Sequence, residues 1–113
     1  MTARNKLAIT QPYAVEQTLM RLGANLRTAR LRRNLTIAAM AEKIGTGPRA
    51  IADAEKGKPT TGIAVYIAML WALGLIDHLR DVAAPEKDEH GHTLARARER
   101  TRARAERSLD NDF

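Results

Sequence analysis

The side chains in this chain best equipped for chemistry are its arginines. Fourteen of the 19 basic residues are Arg, set against 13 acidic residues, and the formal net charge is +6. A guanidinium presents a planar fork of donors that fits phosphate and guanine edges bidentately. Nucleic acid is therefore the partner this balance favours. Other chemistries fall away because their residues are missing. Without a single Cys, disulfide frameworks, thiolate zinc sites and cysteine nucleophiles are excluded, and a reducing cytoplasm is the expected location. The one Ser, Ser108, stands in the C-terminal segment, which leaves no basis for serine acyl transfer. His90 and His92 beside Asp88 have metal-ligating types, but two His in a polar, turn-rich stretch are too few for a site. No metal is expected. Neither a phosphate-binding glycine loop nor a pair of catalytic carboxylates occurs, so the reading is of a non-enzyme without a cofactor.

The elements that must position the arginines follow from apolar spacing. Val15, Leu19, Leu22, Leu26 and Ala29 recur at intervals of four, three, four and three, one stripe of a first helix that runs to about Arg33. Asn34 breaks it. Thr36 is suited to cap a short second helix, which ends where Gly45 supplies a C-cap. Thr46 and Gly47 form a tight connection, and Pro48 fits the first position of a third helix, where a missing N–H costs nothing. Gly57 and Pro59 stop it. Thr60 or Thr61 then caps a fourth helix, with Ile63, Tyr66, Ile67, Leu70 and Leu73 on one face and Gly74 closing it. A fifth helix is expected over Leu75–Ala83, because Leu75, Leu79 and Val82 fall at i, i+4 and i+7 with Ile76 beside them.

No charge falls between Lys58 and Asp77, yet the uninterrupted apolar run Ile63–Ile76 has fourteen residues. A membrane-spanning helix needs about 20, so a buried helix is expected and no membrane partner. Met1–Thr10 lacks the apolar run of a secretory signal. The division expected is a flexible N-terminal tail over 1–13, a folded domain over 14–84, a linker over 85–93 and an Arg-rich segment over 94–113. That last segment is helix-prone by composition, but it carries no apolar stripe to bury.

Two short helices joined by a glycine-containing turn form a helix-turn-helix. Over Leu22–Leu75 the chain resembles the Xre, or lambda-repressor-like, helix-turn-helix family. Leu26, Leu35, Met40, Ala41, Gly45, Ile51, Glu55 and Gly57 occupy the family's spacing, followed by Leu73, Gly74 and Leu75. The resemblance implies an all-α, five-helix domain that binds a double-stranded DNA operator and regulates transcription. Carried over residue by residue, it places Pro48, Arg49, Ala52 and Asp53 of the third helix at the major groove, with Arg49 as the base reader. Thr36, Lys43, Lys56, Lys58, Thr60 and Thr61 are expected on the DNA backbone. Arg30 and Glu55 match positions that form an ion pair in the family. Related repressors dimerise near the fifth helix, so Trp71, Leu75, Ile76, Leu79 and Val82 are expected at a homodimer interface.

This chain departs from the family pattern at two positions, where Ile37 and Pro48 replace common polar residues. Ile37 cannot hydrogen-bond a phosphate. The readout expected of it therefore leans on backbone contacts and DNA shape. Within the family the resemblance is to HipB-like antitoxins, on the extended first helix and the charged C-terminal segment with Asp88 and Gly91. It implies a repressor that autoregulates its operon beside a HipA-like kinase toxin. A stand-alone regulator and a protein- or RNA-binding adaptor are the alternatives, the adaptor disfavoured because base stacking needs aromatics in a basic cluster.

Overall fold

The computed structural model describes residues 6–111. These form two compact units, one through Asp77 and one from His78 onward. Every regular element among the described residues is helical, as the sequence leads one to expect.

The first unit contains α1 (Lys6–Ile9), α2 (Tyr13–Arg32), α3 (Ile37–Ile44), α4 (Pro48–Glu55) and α5 (Ile63–Ala72). Helices α2 to α5 correspond to the first four expected from spacing. The tail expected over 1–13 holds a helical turn at α1, and residues 1–5 lie outside the described residues. Leu26, Met40, Ile51 and Met69 are the largest fully buried side chains, one from each of α2 to α5. Each of these helices ends alike, with one residue in the left-handed region: Asn34, Gly45, Gly57 and Gly74. The N–H of the following residue then reaches back five positions, as in Leu35 to the Arg30 carbonyl at 3.2 Å and Leu75 to the Leu70 carbonyl at 2.8 Å. This closure satisfies carbonyls that a helix end would otherwise strand.

Three expectations shift. Gly62, not Thr60 or Thr61, occupies the N-cap of α5, with no side-chain hydrogen bond. The buried face of α5 is Tyr66, Met69, Leu70 and Leu73, while Ile63 and Ile67 are exposed. The helix expected over Leu75–Ala83 is reduced to a single 3-10 turn, Ile76–Leu79, followed by turns with Ala83 at a φ of 58°. Gly74 ends α5 in the left-handed region with the Leu75 N–H bonded back to the Leu70 carbonyl, and so short a stretch does not hold a helix without packing, which Ile76 and Val82 lack because they stay exposed.

The second unit is built from a 3-10 turn, Pro85–Lys87, and α6 (Glu89–Asn111). Residues 89–93, expected in a linker, are the start of this helix. Asp88 caps it, its Oδ1 accepting from the Gly91 N–H at 2.9 Å. The acidic run that resembled a solvated linker is thus helix-start chemistry, since carboxylates at Asp88 and Glu89 favour the positive end of the helix dipole. Ala84 is the only buried residue described in this unit.

Candidate nucleic-acid interface

α3 and α4 are joined by Gly45, Thr46 and Gly47. Thr36 Oγ1 accepts from the Ala39 N–H at 3.0 Å and fixes the start of α3. Ala41 on α3 and Ile51 and Ala54 on α4 are buried, so the inner surfaces of the pair are short or fully packed. The outer surface of α4 then projects Pro48 and Arg49 into solvent, with Ala52 and Asp53 half-buried one turn on.

The other end of α4 is held against α2 by close backbone approach and by charge. A Cβ on Gly23 would lie 2.6 Å from the carbonyl oxygens of Ala54 and Glu55, and one on Gly57 would lie 2.6 Å from the Leu19 carbonyl oxygen. Only glycine allows the two backbones this near. Arg30 Nε donates to Glu55 Oε2 at 2.6 Å and Nη2 to Oε1 at 2.9 Å, while Nη1 donates to the Leu35 carbonyl at 2.7 Å. Arg30 is 5% exposed. The hydrogen bonds that Arg30 donates to Glu55 raise its pKa above the usual guanidinium value, against the opposing effect of burial. The pair expected from the sequence is therefore a bidentate bridge that clamps the C-terminal end of α4, and it orients the helix rather than touching a ligand. Gly23 was not singled out by sequence. Its signal was available, because a glycine inside a helix costs up to about 1 kcal/mol relative to Ala and so points to a packing need.

The family model described as "Helix-turn-helix domain" matches residues 21–83. The chain belongs to that family. No curated protein and no solved structure matches it.

Within the helix-turn-helix, the candidate DNA residues divide by how free their polar atoms are. Arg49 is exposed and has no ion-pair partner among the described residues. Thr36 spends one lone pair on its cap and keeps its O–H available as a donor. Lys56 and Thr60 are exposed. Other groups are engaged elsewhere. Asp53 Oδ1 lies 3.1 Å from Lys58 Nζ, so the carboxylate is answered within the motif and Lys58 has part of its charge offset. Lys43 Nζ donates to the Ala72 carbonyl at 3.3 Å, at the C-terminal end of α5. Thr61 Oγ1 is buried without a hydrogen-bond partner, so it is withdrawn from the surface.

The apolar residues expected at a dimer interface do not form one helical strip, because the expected helix is a 3-10 turn. Trp71, Ile76 and Val82 are exposed, and Leu75 and Leu79 are half-buried. The continuous apolar face that remains uncovered is on α5, where Ile63, Ile67 and Trp71 at i, i+4 and i+8 are 69%, 37% and 57% exposed. Among the described residues no group of three His, Cys, Asp or Glu could hold a metal ion, and no helix is long and apolar enough to cross a membrane.

Proposed function

We propose that this helix-turn-helix protein is a sequence-specific DNA-binding transcriptional regulator that reads the major groove through α4. The observation that carries this reading is Arg49. It stands exposed and unpaired on the second position of a helix whose far end is clamped by Arg30–Glu55 and by two glycine contacts. A fixed helix with a free guanidinium at its leading end is the arrangement that bidentate guanine contact needs. Thr36 and Lys56 supply phosphate contacts on either side, and Lys58 a weaker one. Ala52 presents a small apolar surface suited to a thymine methyl.

The regulator works as a homodimer, with the Ile63, Ile67 and Trp71 face of α5 as the contact, since two half-sites raise both affinity and specificity. It acts as a repressor of its own transcription unit. The narrower form of this reading is a HipB-like antitoxin beside a HipA-like kinase toxin, and it rests on the family resemblance.

A gel shift against the DNA upstream of its own coding region tests the proposal. Arg49→Ala should cost about 1 to 3 kcal/mol on the specific site and leave binding to random duplex nearly unchanged. Equal affinities of wild type and Arg49→Ala for the specific site would defeat readout through α4.

A further inference from the structure

α6 holds six arginines between Arg96 and Arg107, all exposed, and none has an ion-pair or side-chain hydrogen-bond partner among the described residues. At 3.6 residues per turn their placement is not uniform. Arg98 and Arg102 lie along one side of a stripe formed by Ala97, Thr101 and Ala105, and Arg100 and Arg104 lie along the other. Glu99, Glu106 and Asp110 fall on the opposite face. Ala97, Arg98, Thr101, Arg102 and Ala105 line a shallow apolar depression along the helix. Thr101 Oγ1 donates to the Ala97 carbonyl at 3.0 Å, which turns the hydroxyl back onto the helix and leaves the stripe smooth.

We infer that α6 is a second nucleic-acid-binding element, which lies in the major groove of duplex DNA with its arginines on the phosphates at both walls. The groove is about 12 Å wide and admits an α-helix, and a helix enters more deeply when the side facing the base pairs is Ala and Thr. Charge on both flanks matches the two strands that border the groove. The carboxylates face outward, away from the phosphates. An acidic protein fits less well. Protein interfaces centre on large side chains packed into desolvated pockets, and α6 has no aromatic residue to seat its arginines beside, its only large apolar side chains, Leu94 and Leu109, standing fifteen residues apart. Phosphate contacts require no such anchors. The inference extends the regulator reading to a new element, and random-sequence duplex tests it without calling on base readout by α4.

The experiment measures full-length protein on a fluorescent random-sequence duplex by anisotropy between 50 and 200 mM salt, with helix content followed by circular dichroism. Replacing Arg98, Arg100, Arg102 and Arg104 together by Gln keeps helix propensity and should reduce the slope of log K against log salt by about 3 to 4. The matching fourfold Lys variant should keep the slope. Ala97→Leu with Ala105→Leu adds bulk without changing charge and should weaken duplex binding about tenfold. An unchanged salt slope in the Gln variant overturns the inference, and more so if that variant loses binding to polyglutamate, which would assign the face to acidic polypeptides. Wild-type affinity in the Leu variant overturns the groove-seated geometry. Loss of specific binding in Arg49→Ala alone leaves α6 untouched, so failure of either element is read separately.

Discussion

Arg30 in α2 and the six arginines of α6 carry the same guanidinium into opposite settings. Arg30 has its donors committed to Glu55 and to the Leu35 carbonyl and is almost wholly buried. The α6 arginines are exposed and without partners. The surroundings differ in the same way, since the first unit packs one large apolar side chain from each of four helices into a common core, whereas α6 has no buried residue among those described. In the first unit charge is a structural part that fixes the angle of α4. In α6 it is a surface, and the helix is supported by composition, by the Asp88 cap and by the neighbouring 3-10 turn. The same substitution type should therefore behave differently in the two regions.

The largest contrast is expected at the buried pair. Glu55→Ala leaves Arg30 charged, desolvated and unpaired, and should destabilise the first unit by about 3 to 5 kcal/mol. Arg100→Ala in α6 removes an exposed charge and should stay within about 0.5 kcal/mol. Urea unfolding followed through Trp71 fluorescence reads the first, and far-ultraviolet circular dichroism, to which α6 contributes, reads the second. A Glu55→Ala protein with the wild-type midpoint would remove the distinction between the structural and the surface arginine.

Backbone approach supplies the next test. Gly23→Ala gains up to about 1 kcal/mol of helix propensity but drives a Cβ into the carbonyls of Ala54 and Glu55, and these are backbone atoms that cannot rotate away. Overpacking of this kind costs about 1 to 3 kcal/mol or more, so the clash should win and the protein should melt lower. Gly91 in α6 has the opposite character. A Cβ there would meet only the Asp88 carboxylate, a side chain that can move. Gly91→Ala should therefore shift stability little, with propensity gained and a cap weakened. If both glycine variants melt alike, the close crossing of α2 and α4 is not a constraint.

The first unit was the more legible of the two in sequence, and the reason is physical. A helix that packs leaves a period in its apolar residues, and a helix that ends in a left-handed residue leaves a Gly or Asn. Thr36, Gly45, Pro48 and Gly57 therefore announced α3 and α4 almost to the residue, while the pairing of Arg30 with Glu55 was implied by the resemblance to the helix-turn-helix family. The failures lie where those signals mislead. On α5 nearly every side chain is apolar, so the sequence did not tell the buried Met69 from the exposed Ile63. Beyond Gly74, Leu75, Leu79 and Val82 kept helical spacing without a surface to bury them. Asp88 and Gly91 read as linker residues because caps and turns use the same residue types. The engagement of Lys43 and Asp53 was not legible, since each depends on a neighbour from another element or beyond its own helix.

The smallest effect expected is a dependence on alkaline pH confined to the first unit. Tyr66 is 3% exposed and its hydroxyl donates to the Lys58 carbonyl at 3.2 Å. Burial raises its pKa above the ordinary value of 10.0, contact with Thr61 works the other way, and the nearby Asp53 charge raises it again. A folded-state pKa above the unfolded one means that the native protein holds its proton longer. The stabilisation is fully present below about pH 10 and is lost as pH rises through the unfolded and then the folded value. α6 contains neither Tyr nor Lys. Unfolding free energy from urea titrations should fall more steeply between pH 9.5 and 11 in wild type than in Tyr66→Phe, which should itself cost about 1 kcal/mol at neutral pH for the lost hydrogen bond. Parallel pH curves for the two proteins would take the phenol out of the account.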